Sequence, residues 1–225
     1  MRKFLFVLSA AVLMLCGCDK ENDVLFINEY GFGTMVTSGV IQSDGGLKYN
    51  ITKNEANAEL QAGKRVLYVC DILKRISDSE FNINLKQLSY PLSKKPVTPA
   101  EVDSSKDEFK ADNPANVDMA WFAGGYLNLR VNLFISKDAD KRKTHYLNLV
   151  LDKEKKTVTL MHNADGEYYG EGGMELEDLM LAQTYACFES TDFDTSYTLH
   201  WKWHATNDDT GDITPASGDC SYKFQ

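Results

Sequence analysis

Strict two-residue alternation of apolar and polar side chains constrains this chain more than any other feature. Leu127, Leu129, Val131, Leu133 and Ile135 are apolar, with Asn128, Arg130 and Asn132 between them, and Phe81-Asn-Ile-Asn-Leu-Lys repeats the pattern. A β-strand turns successive side chains to opposite faces, so this period builds one buried face and one wet face. Residues 65–73 are apolar at nearly every position, as in a strand covered on both sides or curling through a small barrel. Further strands are expected at 35–42, 47–52, 146–151, 157–161, 184–188, 197–203 and 221–224. SDGG (43–46) and SDSE (77–80) fall between strands, where hairpin turns belong. Only 174–181, MELEDLML, suggests a helical turn or two. The expected fold class is all-β.

Four of the five prolines (Pro91, Pro96, Pro99 and Pro114) cluster in one polar stretch. Proline removes ladder donors and marks connectors, so a boundary is expected near Lys95. The five or so short strands before it suit a small closed barrel of the OB type, and the seven or so after it suit a β-sandwich. The division expected is a barrel at 28–95 and a sandwich at 96–225.

The first 17 residues read as a secretory signal. Arg2 and Lys3 precede about twelve apolar residues, whereas a membrane-spanning helix needs roughly 20. Leu15-Cys16-Gly17-Cys18 resembles the bacterial lipobox. That resemblance implies a diacylglyceryl group on the Cys18 sulfur, cleavage after Gly17 and acylation of the new amino terminus. Residues 18–27 then form an acidic tether. Asp19, Lys20, Glu21 and Asp23 resemble the export signals behind the lipid cysteine in surface lipoproteins of Bacteroides-type bacteria. The expected address is the outer membrane, held by acyl chains such as palmitate, with the acidic residues favouring the cell surface and the inner leaflet left open as the alternative.

Cleavage would leave 208 residues carrying 22 basic against 33 acidic side chains, a net of −11. That charge disfavours nucleic acid and other polyanions. Within 28–95, nine basic residues face seven acidic ones, and Tyr49, Tyr68 and Phe81 are scattered over three strands. The barrel is therefore not expected to bind nucleic acid, although its fold class often does. With Cys18 acylated, Cys70, Cys187 and Cys220 remain. Their number is odd and their spacing wide, so no disulfide framework is implied, while a Cys187–Cys220 bridge stays open.

Residues 63–97, followed by AWFAGGYLNLRVNLF (120–134) and KTHYLNLVLD (143–152), resemble the NigD-like lipoproteins of Bacteroides-type gut and oral bacteria. GGYLNL is the most particular of these elements. The resemblance implies an N-terminal OB-like barrel and a C-terminal β-sandwich, in a family named from a bacteriocin-associated operon. It implies no catalytic or ligand residues.

Chemistry-bearing patterns are sparse. His200 and His204 lie four apart in HWKWH, which would suit a metal on a helix. On a strand their imidazoles stand roughly 13 Å apart, too far for one zinc with ligands at about 2.1 Å. His145 and His162 have no Cys or His at ligand spacing, so no metal and no cofactor are expected. There is no G-x-S-x-G, and YGFGT (30–34) is not a dinucleotide fingerprint. Carboxylates, tyrosines and glycines mix in 167–178, EYYGEGGMELED, the best place for a hydrolytic carboxylate pair. Trp121, Phe122, Tyr126, Tyr168, Tyr169, Trp201 and Trp203 could supply a binding platform. Trp201 and Trp203 are expected in the core, and Tyr168 and Tyr169 as the exposed, ligand-facing pair. The leading expectation is a non-enzymatic surface lipoprotein binding a protein or a glycan. The alternatives are an envelope polysaccharide hydrolase, for which a cleft with carboxylates about 5–9.5 Å apart would be needed, and a bacteriocin-associated accessory lipoprotein.

Overall fold

The structure, a computed structural model, describes residues 25–193, 196–206 and 213–224. Five strands close a barrel: β1 (Phe26–Thr37), β2 (Val40–Ser43), β3 (Lys48–Asn54), β4 (Arg65–Arg75) and β5 (Glu80–Ser89). Their order is β1-β2-β3-β5-β4, with β4 pairing back onto β1 and β3 running parallel to β5. This is the OB-like barrel. Alternate residues of each strand fill it: Val66, Tyr68 and Cys70 from β4, Ile83 and Leu85 from β5, with Met35, Ile41 and Tyr49. The apolar residues of β4 that point outward are half-buried, so the run at 65–73 marks a curled barrel strand and not a doubly covered one. The stretch expected as one strand at 35–42 is two, because Ser38 and Gly39 form a turn.

Eight further strands form two sheets: β6 (Leu92–Lys94), β7 (Asn116–Ala123), β8 (Tyr126–Ser136), β9 (Tyr146–Asp152), β10 (Thr157–Asn163), β11 (Leu179–Glu189), β12 (Thr198–Thr206) and β13 (Ile213–Lys223). Sheet I has the order β13-β12-β10-β9, and sheet II the order β6-β11-β8-β7. Between them lies one apolar core that includes Leu127, Leu129 and Val131 of β8, Leu147, Leu149 and Leu151 of β9, and Phe188 of β11. The alternation in the sequence is this inward face. β11 begins at Leu179, so the helical turn expected over 174–181 reduces to a single 3-10 turn at Leu176–Asp178. Pairing with β8 along all eleven residues of β11 overrides the local acidic pattern.

The proline-rich connector does more than link two domains. β6 runs parallel to β11, and Val97 then bridges to β9, accepting from Leu151 N at 2.7 Å and donating to Leu149 O at 2.9 Å. One segment thus stitches the two sheets along their shared edge. The following excursion carries 3-10 turns at Pro99–Glu101 and Asp107–Phe109 and lies against β9 and β10, with Phe109 buried. The buried Asn148 and Asn163 donate to Glu108 O and Asp107 O, which gives those outward-facing amides their partners.

Barrel and sandwich meet at a polar knot. Arg65, at the start of β4, is 1% exposed. It pairs through both terminal nitrogens with Asp44 and donates to Asn128 Oδ1 on β8 at 2.9 Å. Its guanidinium lies over Phe32 at 5.4 Å and Tyr126 at 4.9 Å, and Phe32 packs edge-on against Trp121 and Tyr185. Cys70 and Cys187 are buried thiols, and Cys220 is a half-buried one.

Candidate functional site

The end of the sandwich farthest from the barrel holds a chain of ionisable groups. β9 and β10 point Leu147, Leu149, Val158 and Leu160 into the core, and the same two-residue period points His145 and His162 inward beyond them. His162 Nδ1–H donates to Pro114 O at 3.2 Å, which leaves Nε2 to accept from His145 Nδ1 at 2.8 Å. His145 Nε2 lies 2.6 Å from Glu167 Oε2.

Glu167 is buried, and its carboxylate also accepts from Ser136 N at 2.6 Å and Lys143 N at 3.2 Å. Burial raises its pKa, but the bonds from Ser136 N, His145 and Lys143 N outweigh that and hold it below the usual carboxylate value. Burial, with His145 second, pushes the His162 pKa down to about 4. Chemically this chain fastens the ends of β8, β9 and β10 together. The carboxylate expected to offer hydrolysis is turned inward onto three donors, while Glu171, Glu175, Glu177 and Asp178 of the same loop are exposed.

Tyr168 and Tyr169 do not stand out as an exposed pair. Both are half-buried. The Tyr168 hydroxyl donates to Glu171 O at 2.6 Å, and the Tyr169 ring packs 5.5 Å from His204 and 6.4 Å from Phe134. Phe134 in turn stacks on Trp203. His204 is buried beneath this cluster. The aromatic residues singled out in the sequence therefore separate into three places. Trp121 and Tyr126 line the junction with the barrel, Tyr169 and Trp203 close the far end, and Phe122 and Trp201 lie at a third feature.

That third feature is a cleft of about 240 Å³ lined by Val117, Asp118, Met119 and Ala120 of β7, Leu199 and Trp201 of β12, and Tyr222 of β13. Its origin is an offset between the two four-stranded sheets, in which β7, the edge of sheet II, packs on β12. Register pairs Leu199 with Tyr222 and Trp201 with Cys220, so Tyr222 and Cys220 share the inward face of the buried Leu199. Sheet II ends at β7, and among the described residues no strand lies beyond it opposite β13. Tyr222 is consequently 51% exposed, with Met119 and Phe122 at 43% and 45% on β7 beside it. Phe122 packs on Phe193 and Phe224. An edge strand with unpaired backbone beside an apolar trough can accept a further strand. Among the described residues, no group of three His, Cys, Asp or Glu side chains is placed to hold a metal. Cys18 lies outside the described residues.

Residues 95–176 match the model of the NigD-like C-terminal β-sandwich domain. The chain carries a NigD-like C-terminal β-sandwich domain. The match spans β7 to β10, the ionisable chain and the loop that supplies Glu167. No curated protein matches the sequence. Barrel and NigD-like domain together resemble a solved NigD-like immunity protein from Bacteroides caccae, at 19% identity over 89% of this chain and 97% of that one, with a TM-score of 0.57. A candidate lipoprotein from Bacteroides fragilis matches at 12% identity over 88% and 97%, with a TM-score of 0.58. A candidate toxin-related protein from Parabacteroides distasonis matches at 15% identity over 87% and 92%, with a TM-score of 0.57. At these identities the likeness is one of fold. Among the described residues no helix is long and apolar enough to cross a membrane.

Proposed function

We propose that this is a non-catalytic, lipid-anchored envelope protein that captures an extended segment of a partner polypeptide in the cleft beside β7. The overhang of β13 past β7 is the observation that carries this function. An added strand would sit about 4.8 Å from β7, bond to its free edge and cover Trp201 and Tyr222. A globular partner needs about 800 Å² on each side of a standard interface, whereas a gap one strand wide accepts one extended segment. The absence of a catalytic role is supported by Glu167, the one buried carboxylate of its loop, whose oxygens are engaged by Ser136 N, Lys143 N and His145. Anchoring rests on the lipobox ending at Cys18, and the acidic residues behind it support display at the outer-membrane surface. One relative of the same fold is named an immunity protein and another a candidate toxin-related protein, which makes a toxin polypeptide the first partner class to test.

The test places a photo-crosslinking amino acid at Met119 or Tyr222 in the full chain, expressed in its native cells, with Val36 on the barrel as control. A polypeptide adduct at 119 and 222, absent at 36, is expected. Equal crosslinking at all three positions, or adducts to glycan alone, would remove the cleft as a polypeptide site.

A further inference from the structure

The barrel exposes a second apolar surface, away from the sandwich. Leu25, Phe26 and Ile27 are all more than half exposed, and Tyr30 is 76% exposed. Leu25 N donates to Ile72 O, and Phe26 pairs with Ile72, which fixes this start of β1 against the last turns of β4. Beyond Ile72, β4 runs on through Lys74 and Arg75 to the exposed Ile76. Ile76 therefore shares a rim of the barrel with Leu25–Ile27, flanked by the exposed Lys74 and by an Arg75–Asp78 ion pair. Arg65, which meets the sandwich, stands at the other end of β4, eleven residues before Ile76 and at most roughly 36 Å away. The rim and the sandwich are at opposite ends of the barrel.

Chain length identifies what meets this rim. Leu25 is seven residues after Cys18, so even a fully extended connection places it within about 25 Å of the lipidated sulfur. Of residues 19–24, DKENDV, only Val24 is apolar, so the mature chain has no segment there able to cover four large apolar side chains. We infer that the rim formed by Leu25, Phe26, Ile27 and Ile76 rests in the interfacial layer of the phospholipid bilayer that holds Cys18. Lys74 then lies at head-group depth, and Tyr30 sits higher with its ring against the interface and its hydroxyl in water, as amphipathic side chains do at membrane boundaries. The contact orients the molecule: barrel down, sandwich and cleft outward. This inference rests on the lipid-anchor assignment proposed above.

The experiment uses the full lipidated protein reconstituted in vesicles of phosphatidylethanolamine and phosphatidylglycerol, with or without brominated acyl chains. Ile27→Trp adds a reporter at the rim, and Leu181→Trp adds one at an exposed site on the sandwich. Flotation is measured on the same samples. With the protein floating, bromination should quench the added emission of Ile27→Trp at least twofold more than that of Leu181→Trp. Flotation with equal quenching at the two positions overturns the membrane contact and leaves the anchor standing. Loss of flotation overturns both, because a chain without the lipid brings no rim to the bilayer.

Discussion

His145, His162 and Glu167 end an otherwise apolar core, and their chemistry makes that end sensitive to acid. His162 is neutral in the fold because its pKa is pushed down to about 4, mainly by burial, while an unfolded histidine titrates near 6.5. Between those values the unfolded chain binds the extra proton, so stability rises with pH across the window and is drawn down as pH falls from 6.5 towards 4. The full difference is on the order of 3 kcal/mol. Glu167, held below its ordinary value, adds a loss of the same sign only below about 4.5. In the interval from 6.5 to 4.5 the loss is therefore that of His162 and not of Glu167. Melting temperatures taken at half-unit steps should fall through that interval, and His162→Gln should flatten the fall while lowering stability at neutral pH. An identical slope in the variant would place the titration elsewhere. Part of this was legible in the sequence. Extending the two-residue period of 147–151 and 158–160 by one step puts both histidines on the inward face. Glu167 was not legible, because its loop has no period and only the fold brings it to Ser136 N and Lys143 N.

At the scale of elements, alternation located the strands and turn chemistry limited them. β5 and β8 follow the pattern of their sequences directly. The segment 35–42 misleads because the turn at Ser38 and Gly39 lies inside an apolar run, and 174–181 misleads because its carboxylates mimic a helix start. GGYLNL has a physical explanation. Gly124 and Gly125 join β7 to β8 with φ of +60° and +83°, the two positive values that a two-residue type I′ hairpin requires. Space separates the two positions. A Cβ on Gly125 meets nothing within 4 Å, whereas one on Gly124 would collide with the Asp44 carboxylate and come within 2.8 Å of Arg65 Nη1. Gly125→Ala should thus cost about 1–2 kcal/mol, the conformational penalty alone. Gly124→Ala should cost on the order of 3 kcal/mol or more, because it also disturbs a buried ion pair. Urea titrations of the two variants decide it, and equal losses would mean the collision relaxes without harm to the junction.

For the whole molecule, barrel followed by sandwich could be expected from strand counts and the proline cluster, but their mechanical union could not. Arg65 reads as one more basic residue at a strand start, and nothing in the sequence pairs it with Asp44 and Asn128, 21 and 63 residues away. The offset edge that creates the cleft is equally invisible, since it depends on how the two four-stranded sheets stack on each other. Arg65 lies on the barrel, yet it is buried only while Asn128, Tyr126 and Gly124 of the sandwich cover it. A buried guanidinium that loses its carboxylate costs about 3–5 kcal/mol, and the loss falls on the barrel and on the junction together. All three tryptophans belong to the sandwich, whereas far-ultraviolet circular dichroism reports both domains. In the native protein the two signals should change together on heating. In Asp44→Ala the barrel should melt first, so that part of the dichroism is lost while tryptophan emission still reports a folded sandwich. If the two signals stay coincident in Asp44→Ala and only shift downward, the packing of Phe32 against Trp121 and Tyr185 couples the domains without the ion pair.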